Sequence, residues 1–389
     1  WADAELSVRR IVLSVLLAAT GATGIAAQAS PEPPPFWDFT YTPYGYYSSI
    51  DGWWLAGYAR VYSPIGFRER PEPNRAAITL TAGASTQGSY LVELDAQAPA
   101  WWHGWRVGLT LDALRANRLG YFGIGNASQY DTDSITPTSP YFYQVSRTSQ
   151  LARFTLQRHI AGPLRALVGG TLEHTTFRDL PGDGLFPRDR AAGVADSAPF
   201  NDAAVRAGLV ADTRDNELDP HTGVLAEALV AGARHYSRAT VALQGYVHPL
   251  EKLILAGRLA GERMSGAPSV SAMQVIESSG RPYVGVGGYR SLRGYYDSRF
   301  IGPGKLLGGV EVRYALLYAP TILEVKVVGF YDVGRVFGSG NALRLTTRNL
   351  HKSGGGELML RLGRNGVLVA GAGFGEDGGQ FFFGSSWSY

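Results

Sequence analysis

Apolar and polar side chains alternate with a period of two along most of this chain. Beyond the first thirty residues no apolar stretch is long enough for a membrane-crossing helix. Period two sends successive side chains to opposite faces of a sheet. In residues 240–248, Val241, Leu243, Gly245 and Val247 share one face, and Thr240, Gln244 and His248 the other. In residues 252–262, Leu253, Leu255, Gly257 and Leu259 oppose Lys252, Arg258 and Glu262. Residues 305–314 set Leu306, Val310, Val312 and Tyr314 against Glu311 and Arg313. Residues 322–332 set Leu323, Val325, Val327 and Tyr331 against Glu324, Lys326 and Asp332, and Leu358, Leu360 and Leu362 oppose Glu357 and Arg361. A water-soluble sandwich with its apolar faces inward gives the same alternation. Two features favour the inverse arrangement. Charged residues sit mid-strand, several to a strand, as a wet lumen permits. The pattern also continues with no helical segment and no second domain, and a sheet of that size in lipid must close to leave no unpaired edge.

The N-terminus fits a secreted chain. Arg9 and Arg10 precede an apolar run, residues 11–19, and small residues follow as far as Ala27, Gln28 and Ala29. This is the layout of a cleavable signal peptide, expected over residues 1–29. Residues 30–35, SPEPPP, read as a short stiff leader, and residues 36–389 as the barrel. At about 22 residues per strand and turn, that length gives about sixteen strands, bacterial barrels being even-numbered. The longer polar segments, residues 128–140, 178–201, 264–281 and 279–304, read as extracellular loops. Short turns at residues 248–251 and 318–320 read as periplasmic. The expected fold is all-β, a transmembrane antiparallel β-barrel. At the C-terminus Phe381, Phe383, Ser385, Trp387 and Tyr389 fall on one face, a lipid-facing last strand anchored at the interface by Trp387 and Tyr389.

Three motifs lie close together in the last third. Arg290, Ser291, Leu292, Arg293, Gly294 and Tyr295 sit in a long glycine-rich segment. Gly309, Val310, Glu311, Val312 and Arg313 lie on the next strand, and Phe330, Tyr331, Asp332, Val333 and Gly334 on the one after. In this order they resemble the bacterial surface antigen superfamily of outer-membrane assembly factors, the BamA- and TamA-like barrels. The resemblance implies that an extracellular loop folds back into the lumen. Its tip motif, here Leu292, Arg293, Gly294 and Tyr295, would meet an inner-wall F-x-D-x-G motif. Asp332 is then the wall partner of Arg293, with Glu311 as a second acceptor. Asp212, Thr213, Arg214, Asp215 and Asn216, followed by Pro220 and Gly223, look like the superfamily's D-T/S-R-D-N…P…G hairpin. Residues 121–126, YFGIGN, look like its F-x-G-I-G-N segment. The chemistry of a latch stands without the name. A guanidinium is a planar fork of donors matched to a carboxylate, and a glycine beside it lets the loop backbone approach a wall closely.

Little else carries chemistry. There is no G-x-S-x-G elbow, the seven histidines form no pair at metal-ligand spacing, and cysteine is absent. Gly285–Gly288 lead into the loop motif rather than a helix, so a phosphate cradle is not expected. Calcium at an extracellular rim is a weaker reading of the acids in residues 212–219 than the hairpin. A net charge of +3 gives no argument for nucleic acid. No enzyme activity, cofactor or metal is expected. The expected location is the bacterial outer membrane and the expected surroundings the lipid bilayer. Assembly members of the superfamily carry periplasmic polypeptide-transport-associated (POTRA) domains before the barrel. The barrel-like pattern here begins just after the leader, so a member lacking them is expected. The favoured function is help with insertion or translocation of proteins at that membrane. Its partners would be unfolded outer-membrane proteins or a separate periplasmic protein. The alternative is a passive pore or structural barrel.

Overall fold

The computed structural model describes residues 36–48, 51–65, 71–195, 199–319, 323–338, 348–362 and 366–384. The expected signal peptide and leader, with Trp387 and Tyr389, lie outside the described residues. Among the described residues eighteen strands follow one another. They are β1 (Asp38–Ser48), β2 (Gly52–Pro64), β3 (Asn74–Ser85), β4 (Tyr90–Trp102), β5 (Trp105–Gly120), β6 (Gln144–Ala161), β7 (Leu164–Arg178), β8 (Phe200–Asp212) and β9 (Gly223–Ala233). After these come β10 (Tyr236–Leu250), β11 (Leu253–Gly266), β12 (Val275–Ile276), β13 (Tyr283–Val284), β14 (Gly304–Ala319), β15 (Leu323–Phe337), β16 (His351–Leu362), β17 (Gly366–Gly375) and β18 (Gly378–Gly384). Sixteen of them form one antiparallel sheet in chain order. The other two, β12 and β13, make a small hairpin inside the β11–β14 loop. Two short helices, α1 (Leu185–Ala191) and α2 (Val270–Met273), lie in loops.

The alternation read from the sequence is borne out, with the apolar face outward. Val241, Val310, Val327 and Tyr331 are each about half exposed, while their neighbours Thr240, Glu311, Lys326 and Asp332 are buried. A soluble sandwich would reverse this, so the face that meets lipid is the apolar one. Loop lengths orient the barrel. Residues 121–143, 179–199 and 267–303 join strands at one end, which is the extracellular one. The segments expected at residues 264–281 and 279–304 are two limbs of one loop.

The interior differs from the wet channel implied by its charges. It is filled at three levels. At the extracellular end Phe122, Phe142 and Tyr143 pack with Tyr130, Leu185 and Tyr296, and Tyr121 sets its ring edge-on to Phe186 of α1. At mid-height lies the β11–β14 loop. At the periplasmic end the turn at residues 213–222 folds inward as a floor. There the Glu217 carboxylate accepts from Arg106 of β5 at 2.5 Å, and Asp219 accepts from Lys326 of β15 at 2.7 Å. Charges survive mid-strand because they are paired, not because bulk water reaches them.

The D-T-R-D-N residues build that floor. Asp212 takes the Arg214 guanidinium at 3.0 and 2.9 Å, Asn216 accepts from the Leu218 and Asp219 amides, and Asp215 from those of His221 and Thr222. This places the acids at the periplasmic end, so the extracellular calcium reading fails. Asp219, His221 and Glu324 are grouped closely enough to hold a cation. The Lys326 ammonium already sits among them, 3.0 Å from Glu324 and 3.2 Å from the His221 ring.

Arginine placed on the outer face at Val310 should cost about 2–4 kcal/mol, against about 0–1 kcal/mol at Ser237 near the rim. Urea titration of folding into vesicles measures both. Equal, small costs would mean that Val310 does not face hydrocarbon.

Candidate functional site

Strands β14, β15 and β16 are neighbours in the sheet, and at one level they turn Glu311, Asp332 and Glu357 inward. Into the space between them the loop inserts Arg293. Its Nε and Nη2 donate to the two oxygens of Asp332 at 2.7 and 2.9 Å, and its backbone amide to Oδ2 at 3.3 Å. Nη1 donates to Glu311 at 2.6 Å and lies 3.4 Å from Glu357. The guanidinium carbon stands 3.7 Å from the centre of the Phe330 ring. Arg293 and Asp332 have no exposed surface. Burial disfavours the charge, but Asp332 and Glu311 outweigh it and hold the guanidinium well above its ordinary pKa.

The surroundings balance the cluster. Glu311 also accepts from Arg313 at 2.8 Å. Arg258 lies 3.9 Å from Asp332 and donates to the loop carbonyls of Arg290 and Ser291, each at 2.6 Å. Three guanidiniums thus face three carboxylates. Unpaired, any one would carry a desolvation penalty of several kcal/mol.

The residues flanking Arg293 explain its motif. Gly294 has φ +94°, and a Cβ there would fall 2.7 Å from the Phe374 amide nitrogen of β17. A Cβ on the facing Gly373 would in turn meet the Gly294 nitrogen at 2.7 Å. Loop and wall therefore touch backbone to backbone, which only glycines allow. The Tyr295 hydroxyl donates to the Lys352 carbonyl at 3.2 Å and accepts from the Glu376 amide at 3.0 Å. Leu292 packs with Val286, Phe300 and Val336. The wall motif is used in full. Phe330 stacks on the guanidinium, Asp332 binds it, and the missing Cβ of Gly334 leaves room for Val286 of the loop.

Each of the expected loop and wall residues, Leu292, Arg293, Gly294, Tyr295, Asp332 and Glu311, is therefore in this one contact. Phe381 and Phe383 lie apart from it, exposed on the outer face of β18.

The sequence did not point to the loop's hold on the opposite wall. Glu277 is ion-paired with Arg153 of β6 and with Arg206 of β8, the latter at 3.0 Å. Both arginines also donate to the Ser278 carbonyl at 2.9 Å. The Ser279 hydroxyl donates to Glu227 of β9, and Arg281 is ion-paired with Glu93 of β4. Nothing in the spacing of Glu277 marks it, because its partners come from strands far away in sequence. The YFGIGN segment fixes the returning limb. Gly125 donates to the Ile301 carbonyl at 2.8 Å, and the Asn126 side chain joins the Val336 amide to the Asn349 carbonyl. The loop is a strut across the lumen, ionically held at both ends.

Breaking the Arg293 end strands buried carboxylates, so Arg293→Ala should destabilise the barrel by about 3–5 kcal/mol in urea. Arg293→Lys should recover little, since one ammonium cannot reproduce the fork. Full recovery by lysine would contradict the bidentate geometry. The other end should respond to acid. Burial opposes ionisation of Glu277, but Arg153 and Arg206 hold its pKa down at about 2. Its contribution is complete above the ordinary glutamate value and is lost as pH falls towards 2. Hydrogen exchange at residues 277–281, corrected for intrinsic rates, should lose protection between about pH 4.5 and 2. Unchanged protection would count against the ion pairs.

The model of the Omp85 superfamily domain matches residues 72–375. BamA from Haemophilus ducreyi lacking POTRA domains 1–3 is similar in fold, with TM-score 0.55 and 13% identity, over 98% of this chain and 76% of that one. CdiB from Escherichia coli is similar with TM-score 0.56 and 11% identity, over 91% of this chain and 63% of that one. A search of curated proteins finds no sequence match. Most of the sheet and the whole of the Arg293 contact fall within the matched residues: the chain belongs to the Omp85 superfamily and is an integral outer-membrane β-barrel.

Proposed function

We propose that the barrel assists insertion or translocation of proteins at the outer membrane, working at the seam between its first and last strands. The observation that carries this reading is the position of the Arg293 contact. It grips β14, β15 and β16, and the Gly294–Gly373 contact extends the grip to β17, beside the last strand. A loop so placed steadies the terminal strands whose pairing edge a substrate strand would use. The filled interior favours this reading over a passive pore.

Three further parts belong to the proposal. Residues 1–29 are a signal peptide removed on export, residues 30–35 a leader and residues 36–389 the barrel. Phe381 and Phe383, with Trp387 and Tyr389, form the signal by which the chain is itself recognised for assembly. Substrates are unfolded outer-membrane proteins, received directly or from a separate periplasmic partner. Superfamily barrels are assembly and transport proteins, not enzymes.

Proteoliposomes test the function. Folding of a urea-denatured barrel substrate should be several-fold faster with this protein than with empty vesicles. Cysteine pairs joining β1 to β18 should abolish the gain on oxidation; the chain has no native cysteine to interfere. Planar bilayers should show low steady conductance. Large steady openings without acceleration of folding would establish the passive pore instead.

A further inference from the structure

One part of the outer wall departs from the lipid-facing pattern. Along β14 the outward positions from Leu306 to Leu316 are apolar without a break, a height of about 25 Å for a strand tilted about 40°. On β6 the outward apolar run is only Ala152, Phe154 and Leu156, about 10 Å, before Gln150 is reached. The same break crosses three strands. Gln150 of β6 is the direct partner of His174 of β7, and His174 of Asn201 of β8. All three are exposed on the outer face, with the His174 Nδ1 and Asn201 Oδ1 hydrogen-bonded at 2.7 Å.

Below the row lies a concavity of about 880 Å³ with an apolar floor that includes Leu94, Leu111 and Leu172. Beside it is Arg234, exposed in the tight turn between β9 and β10, where the wall is low. Asp112, Glu173 and Asp202 also line the concavity, but they fall on the inward positions of their strands. The outer face here thus offers a cation and neutral polar groups above an apolar hollow, with no acid in the row. In hydrocarbon such groups would be costly. The chain orientation sets the row towards the extracellular side.

We infer that this wall is a binding site for one phosphorylated glycolipid of the outer leaflet. Its acyl chains fill the hollow over Leu94, Leu111 and Leu172. Its phosphate lies against Arg234, and its sugar hydroxyls against Gln150, His174 and Asn201. The site is on the side of the sheet away from β1 and β18, and the inference does not rest on the proposed assembly role.

Native mass spectrometry of the full chain in detergent tests it, with bisphosphorylated lipid A, dephosphorylated lipid A and phosphatidylglycerol as probes. One bisphosphorylated lipid A per chain should survive at activation energies that strip the other two. The double variant Arg234→Gln with His174→Leu should bind it about tenfold more weakly, the expected loss of a charge-assisted contact. Arg263→Gln, exposed on the outer face of β11, should leave binding unchanged. Heat-modifiable gel mobility reports that each variant is folded. Equal retention of the three lipids by the wild-type protein overturns the inference even if the double variant does not fold. So does undiminished lipid A binding by a folded double variant.

Discussion

A single guanidinium, withdrawn from water and divided among three carboxylates, is the constraint around which this barrel is arranged. Where Arg293 enters, β14–β16 present three buried carboxylates, so an apolar loop would gain little there, and a loop with an unpaired charge would be expelled. Arg293 satisfies both requirements only in one orientation, because Asp332 accepts two of its donors in a plane. Buried ion pairs are weak as net sources of stability, and their better-attested use is to fix register. Here the register fixed is that of a long loop against four neighbouring strands. The glycine pair Gly294 and Gly373 then lets the backbones meet at a distance no side chain would permit.

The rest of the interior obeys the same logic. A barrel whose oily side chains face lipid must assemble its inner layer from polar groups, and a filled polar layer holds only if its charges are matched. The Glu277 end of the loop, the Glu262 site with Lys305 at 2.6 Å, and the floor around Asp219 are each a carboxylate shared among cations from different strands. Removing a partner from any of them leaves a buried charge rather than a neutral gap. The interior is thus rigid where it is paired, and large-scale passage through it would require many pairs to part together. That directs attention to the seam of the wall instead of the lumen.

Much of this was legible in the sequence, for definable reasons. Strand period, inside-out polarity and strand number follow from local alternation and length. The Arg293–Asp332 contact was expected from the resemblance that the motifs within Arg290–Gly334 carry. What could not be read were the pairings that depend on closing the sheet. Glu277 meets Arg153 and Arg206 only because β6 and β8 curve round to face the loop, and no spacing encodes that. The filled lumen was missed for the same cause: charges on a strand look alike whether they face water or one another. The inward fold of residues 213–222 was also hidden, although its D-T-R-D-N motif was recognised.

A double-mutant cycle on Arg293 and Asp332, followed by urea unfolding from vesicles, reaches the central claim most directly. If the two side chains form the buried bidentate pair, Arg293→Ala and Asp332→Ala should be far from additive, with a coupling of about 1–3 kcal/mol. Additivity to within about 0.5 kcal/mol would show that the loop tip is not held by this wall.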